Sequence, residues 1–112
     1  MGATIRTDLG TTSAVLVLGG ELDVRSTAEL RSALYRHLDE HGSAGDGRVL
    51  VDLDDVTSID ETALKVLAAA SRRVRLRGGV IVLRGGGPAV RRMLHLTHLA
   101  RLFELERLPI PA

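Results

Sequence analysis

Residues 57–64, with the sequence TSIDETAL, bring three hydroxyls and two carboxylates together directly after an apolar run. A hydroxyl can accept a phosphate group, and carboxylates at a helix start can cap its free amides. The segment has no glycine and no lysine, and its two acids would repel a phosphate, so it does not predict a nucleotide-binding loop. It indicates either a modification site or a helix cap.

Helix capping explains the same residues structurally. Ser58 and Glu61 have the spacing of a capping box, and Asp60 alone is an acceptable N-cap. Asp23, just before the first predicted helix, has the same structural explanation. The two interpretations are compatible, because a cap that holds the helix start at the surface also presents Thr62 there.

Two histidine patterns could bind metal. Residues 37–41, HLDEH, match the HxxEH spacing in which one helix supplies two zinc ligands and a general base. The pattern lies at a helix end before a glycine-rich segment, and no third ligand is indicated, so a solvated helix end is the competing interpretation. His95 and His98 are more typical of packing or surface positions. We expect no metal site and no enzymatic activity, with a zinc hydrolase as the remote alternative.

Composition limits the other classes of function. With 112 residues, 45% of them hydrophobic, the chain can form one domain over residues 1–112 with its own core. It has no cysteine, so disulfide and thiolate chemistry are excluded. A net charge of +1 and only two aromatic residues argue against a nucleic-acid partner. Without a signal-peptide pattern or a long apolar run, we expect a cytoplasmic protein with no membrane partner.

Strand and helix patterns alternate along the chain. Apolar, β-branched runs predict three central strands, at residues 14–19, 48–53 and 80–83. More alternating patterns predict two edge strands, near residues 4–9 and 103–107. Apolar residues spaced three and four apart predict three helices, at residues 26–41, 60–79 and 88–102. The predicted order is β-β-α-β-α-β-α-β, an α/β domain whose mixed, mostly parallel sheet packs against helices.

The turns that follow the central strands should gather at one edge of this sheet. Strands joined through helices pair in parallel with right-handed crossovers, and open parallel sheets bind partners or ligands at the carboxyl ends of their strands. We therefore expect Asp23, residues 60–62 and the glycine turn 85–87 to be neighbours. The glycine turn lacks the lysine and hydroxyl of a phosphate-binding loop, so we interpret it as a plain turn.

Five short motifs resemble, in order and spacing, the STAS domain of anti-sigma factor antagonists. They are GELD at 20–23, TAEL at 27–30, LDDV at 53–56, IDETAL at 59–64, and PAV at 88–90 followed by Leu94. The resemblance covers nearly the whole chain. It implies a single STAS-like domain without cofactor that acts by binding another protein.

The family resemblance also assigns a role to residues 60–64. In that family an Asp-Ser-Ser-Gly-Leu motif carries a phosphorylated hydroxyl, which a partner kinase modifies and which here corresponds to Thr62. Glu61 replaces the first hydroxyl, and Ala63 replaces the glycine. A further departure is His98, which stands where the family usually has glycine.

The resemblance implies that the unphosphorylated protein binds an anti-sigma factor kinase and releases a sigma factor. A phosphate on Thr62 would add roughly −1.5 to −2 charge in a first helical turn, which tolerates an anion, but would repel an acidic or apolar partner surface. The expected partner-binding residues are Asp23, Asp60, Glu61, Thr62 and Ala63. The alternative is an unphosphorylated scaffold or accessory subunit of a larger signalling or transporter complex. We expect a monomer or a weak dimer.

Overall fold

The structure is a computed structural model and describes residues 2–9, 14–41 and 47–106. It contains five strands: β1 (Thr4–Leu9), β2 (Ala14–Leu22), β3 (Arg48–Ile59), β4 (Val80–Arg84) and β5 (Glu104–Glu106). Three helices connect them: α1 (Thr27–His41), α2 (Glu61–Leu76) and α3 (Pro88–Leu96). Short 3-10 turns, Val24–Ser26 and Ala100–Leu102, precede α1 and β5. The predicted element order is confirmed; the predicted end of the last strand at Arg107 lies outside the described residues.

The five strands form one sheet in the order β1-β2-β3-β4-β5. The β1–β2 pair is antiparallel, and the other three pairs are parallel. The mixed, mostly parallel sheet and its two predicted edge strands are therefore confirmed. Because each parallel pair is joined through a helix with the same handedness, all three helices pack on the same face of the sheet.

The core lies between the helices and this covered face. Leu16, Val51 and Leu83 are aligned across the three central strands. Leu34 of α1 and Leu67 of α2 belong to the same buried cluster, and each of these five side chains is at most 1% exposed. Burying a side chain of this size contributes about 1.5–3 kcal/mol relative to leaving it in water. This layer fixes where α1 and α2 begin.

Strand β3 continues to Ile59, well beyond its predicted end at residue 53. Its buried residues alternate from Val49 to Leu53 and then recur every third position, at Val56 and Ile59. The register against β2 shifts twice, so β3 accommodates two extra residues. Each extra residue bulges the strand and returns the next apolar side chain to the core. The bulges break the alternation from which the strand end was predicted.

The glycine turn 85–87 does not join the edge formed by the ends of β2 and β3. Strand β4 ends opposite Asp52, and the Gly86 amide donates a hydrogen bond to Asp54 Oδ1 at 3.3 Å. From the partner of Asp55 to the partner of Ile59, β2 advances three residues, about 10 Å at 3.3 Å per residue, so Asp60 lies at least about that far beyond the contact with Asp54. The expectation that this turn neighbours Asp60 is wrong, because the bulged end of β3 extends past β4.

Helices α2 and α3 end with the same hydrogen-bond pattern. In both, the amide of the second residue beyond the C-cap donates to a carbonyl five residues earlier, as in a Schellman motif. The residue between has positive φ: 84° at Gly78 after α2 and 59° at His98 after α3. His98 therefore occupies the left-handed conformation that favours glycine, at a cost of about 1–2 kcal/mol.

None of the described helices is long and apolar enough to cross a membrane. Within residues 2–9, 14–41 and 47–106, no group of three or more histidine, aspartate or glutamate side chains is placed to hold a metal ion.

Candidate functional site

Helix α2 begins immediately after β3, and Asp60 is its N-cap. Asp60 Oδ1 accepts a hydrogen bond from the Ala63 amide at 2.9 Å, and its backbone carbonyl accepts one from the Leu64 amide at 3.1 Å. Ser58 lies in β3 and is exposed, so the capping box predicted from Ser58 and Glu61 does not form. Of the two caps that the sequence allows, the structure contains the one at Asp60.

Thr62 is the second residue of α2, and its side chain is exposed. Its hydroxyl makes no hydrogen bond to the residues that the structure describes. Ala63 points the opposite way, into the core, with 0% exposure. Because Ala63 is already helical, its replacement of glycine requires no unusual backbone conformation. Its side chain supports the helix start from below and does not reach the surface.

Asp23 caps the 3-10 turn that precedes α1. Its Oδ1 accepts a hydrogen bond from the Arg25 amide at 2.9 Å, and its own amide donates to Ser26 Oγ at 3.1 Å, which completes a capping box. The Arg25 guanidinium lies 2.7 Å from Asp23 Oδ2. These hydrogen bonds from Arg25 lower the pKa of Asp23 below its usual value. The predicted capping role of Asp23 is confirmed.

The turns that start at Asp23 and Asp60 are adjacent. Leu22 and Ile59 are paired in the parallel register, and the Asp60 amide donates to the Leu22 carbonyl at 3.0 Å. The predicted proximity of these two aspartates is confirmed. Val24, which is 65% exposed in the first turn, was missed by sequence reasoning. An apolar residue inside the otherwise polar stretch DVRST is the signal that could have identified it.

The surface around these turns is predominantly acidic. Four carboxylates and two cations lie on the turns or beside them: Glu21, Asp23, Asp60 and Glu61, with Arg25 and Lys65. Arg25 lies 3.7 Å from Glu21, and Lys65 lies 3.4 Å from Glu61. Exposed pairs of this kind contribute at most about 1 kcal/mol each. An added anion would therefore meet an excess of negative charge.

The HxxEH pattern has a different structural role. His37 is only 2% exposed, and neither of its ring nitrogens has a hydrogen-bond partner among the described residues. Burial lowers its pKa, and its ring centroid lies 5.1 Å from that of His41. The interpretation as a solvated helix end holds for the exposed Asp39 and Glu40 but is wrong for His37, which packs inside the protein. The pattern does not present an open pair of metal ligands.

Comparison with known proteins identifies the family. Residues 4–108 match the family model described as STAS domain. The anti-sigma-F factor antagonist RsfB of Mycobacterium tuberculosis is 32% identical over 94 residues, which cover 82% of this chain and 71% of RsfB. The match to the family model extends across the strands, helices and turns described above.

Solved structures show the same architecture. An anti-sigma factor antagonist from Mycobacterium paratuberculosis has a TM-score of 0.78 and 26% identity, over 96% of this chain and 87% of its own. Two structures of SpoIIAA show the fold alone. The unphosphorylated form has 14% identity and a TM-score of 0.68, over 95% of this chain and 90% of its own. The phosphorylated form, from Bacillus, has 15% identity and a TM-score of 0.66, over 93% of this chain and 92% of its own. The chain therefore belongs to the STAS domain family.

Proposed function

We propose that this protein is an anti-sigma factor antagonist switched by phosphorylation. Unphosphorylated, it binds an anti-sigma factor that is also a serine/threonine kinase, and this binding releases a sigma factor. The observation that carries the proposal is the Thr62 hydroxyl, which is exposed and has no hydrogen-bond partner in the described part of the chain, at the position that corresponds to the family's phosphoacceptor. The names of its relatives support the regulatory class.

A phosphate on Thr62 is compatible with the fold. Thr62 lies in the first turn of α2, where backbone amides point outward without intrahelical acceptors and the helix dipole favours negative charge. Asp60 caps the amide of Ala63 and would remain in place. That SpoIIAA, with the same fold, exists in a phosphorylated form supports this expectation.

The same phosphate would prevent docking. It would place roughly −1.5 to −2 charge beside Asp60 and Glu61. An approaching acidic surface would be repelled, and an approaching apolar surface would remove water from the phosphate at a desolvation cost. The proposed contact surface comprises Asp23, Asp60, Glu61 and Thr62, with Ala63 supporting it from the core. Val24, exposed beside Asp23, adds an apolar contact to this surface.

The test is to incubate the purified protein and ATP with each anti-sigma factor kinase encoded in the source genome. We expect one kinase to add one phosphate, measured by intact mass, and peptide mapping to place it on Thr62. Thr62→Ala should abolish the addition. Thr57→Ala and Ser58→Ala are matched controls, because both residues are exposed in the adjoining strand. Phosphate on either of these residues would contradict the assignment.

Glu61 favours a second candidate function. Its exposed carboxylate adjoins Thr62 and supplies permanent negative charge at the proposed acceptor site. A STAS domain with such a charge could serve as an unphosphorylated scaffold or accessory subunit of a larger complex. Stable co-purification with that complex, unchanged by Thr62→Ala, would favour the scaffold over the switch.

A further inference from the structure

An open groove of about 560 Å³ runs between α2 and the end of α3. Its lining includes one stripe of α2, formed by Glu61, Lys65, Ala68 and Arg72. The opposite side includes Leu96 at the end of α3 and Leu99 just after it. From Glu61 to Arg72 the stripe spans about three helical turns. The groove therefore starts beside Thr62 and leads away from it along α2.

The groove has an apolar floor and one exposed apolar wall. Ala68 is 1% exposed and Leu99 is partly buried, whereas Leu96, the last residue of α3, is 63% exposed. A single exposed leucine is ordinary on a protein surface. Here, however, it flanks a concave surface that also contains two cations. Leu76, which is 90% exposed at the end of α2, lies outside the groove.

Helix α2 is tied to the 3-10 turn that follows Leu99, one of the residues that line the groove. The Ser71 hydroxyl of α2 donates to the Leu102 carbonyl in the second 3-10 turn. Arg75 donates to the same carbonyl at 3.1 Å and to the Arg101 carbonyl at 3.3 Å. His98, whose backbone has the strained left-handed conformation, lies between α3 and this 3-10 turn. A groove held in this way is preformed, so a partner would pay little reorganisation energy to occupy it.

The charges that line the groove favour a carboxylate in the partner. Lys65 is 3.4 Å from Glu61, so these two charges offset each other. Arg72 forms no ion pair within the described part of the chain. Among the described residues, Arg72 is thus the uncompensated cation of the groove, about two helical turns from Lys65 and in the same groove as the exposed Leu96.

We propose that this groove is a second part of the partner-binding surface, occupied by a segment of the anti-sigma factor kinase. That segment would place an apolar side chain against Leu96 and a carboxylate near Arg72. The inference rests on the proposed function and deepens it. Lys65 lies three residues after Thr62 on the same helix. A phosphate on Thr62 would therefore compete with Glu61, and with carboxylates of the bound segment, for contact with Lys65.

The test uses the kinase that phosphorylates Thr62 as the binding probe, without ATP, in titration calorimetry. Leu96→Ser should weaken binding by about tenfold or more, as expected for loss of an apolar anchor. Leu76→Ser is the matched control and should change the affinity less than about twofold. Both residues are exposed, and circular dichroism should show that both variants fold.

Charge reversal tests the second contact. Arg72→Glu should weaken binding by about tenfold and reduce its dependence on salt, because it removes an attraction and adds a repulsion. Arg31→Glu, an exposed arginine on α1, is the control and should bind like the unaltered protein. Amide hydrogen exchange in the complex should be slower at residues 68–72 and 94–99.

The possible failures are distinguishable. If Leu96→Ser and Arg72→Glu bind as tightly as the unaltered protein while phosphorylation of Thr62 still abolishes binding, the groove assignment is overturned and the proposed function stands. Unchanged hydrogen exchange along the groove would overturn it equally. If no kinase binds the unmodified protein, the proposed function fails and the groove assignment fails with it.

Discussion

The turns before α1 and α2 leave adjacent strands and both start with a capping aspartate, yet their side chains differ in availability. In the first turn the Asp23 carboxylate is held by Arg25, and the Ser26 hydroxyl donates to the Asp23 carbonyl. In the second turn Asp60 caps one amide, and the exposed Thr62 hydroxyl makes no hydrogen bond within the described ranges. Two turns with similar composition therefore differ: the Ser26 hydroxyl is held in a structural hydrogen bond, whereas the Thr62 side chain is exposed to solvent.

The largest expected effect is the difference in unfolding free energy between variants that place an acid in one turn or in the other. Ser26 is 7% exposed, so Ser26→Glu would bury a carboxylate and break the capping box, and should cost about 3 kcal/mol of unfolding free energy. Thr62→Glu adds an acid to an exposed first turn and should change stability by less than about 0.5 kcal/mol. Urea denaturation measures both. Equal losses of stability would remove the distinction between the turns.

Removing the cap at α2 should have a smaller effect. Asp60→Ala deletes the acceptor for the Ala63 amide and should cost about 1 kcal/mol, whereas Asp60→Asn should retain most of the stability because asparagine also caps. Hydrogen exchange at residues 61–63 should accelerate in the alanine variant alone. If both variants behave alike, the cap is not what holds Thr62 in place.

The smallest expected effect is on the pH dependence of the first turn. Hydrogen bonds from Arg25 lower the pKa of Asp23, so their stabilisation is present above the usual pKa near 3.8 and is lost as pH falls through the lower folded-state value. Arg25→Ala should return the pKa of Asp23 towards that usual value, as followed by carboxyl carbon chemical shifts. An unchanged titration would show that Arg25 does not hold this carboxylate.

Sequence reasoning succeeded where patterns run through whole elements. The apolar runs and helical stripes predicted every described strand and helix in order, and Asp60 was recognised as a possible cap. The end of β3 was missed, because its two bulges replace alternation with a three-residue spacing. The misplaced glycine turn follows from the same cause.

Individual side-chain environments were harder to predict. His37 continues the stripe of Leu30 and Leu34 on α1, but a polar ring next to charged residues near a helix end was interpreted as solvated, and the ring is buried. The groove beside Leu96 depends on how α3 and the chain beyond it pack on α2. Such contacts join residues that are far apart in the sequence, which local periodicity does not report.

The most direct test of the account is to prepare the protein with phosphate on Thr62 alone and to measure its stability and its binding to the cognate kinase. We predict that the free energy of unfolding changes by less than about 0.5 kcal/mol while affinity falls by at least about tenfold. Phosphorylated protein that unfolds, or that binds as tightly as the unmodified form, would contradict the claim that Thr62 switches docking on an intact fold.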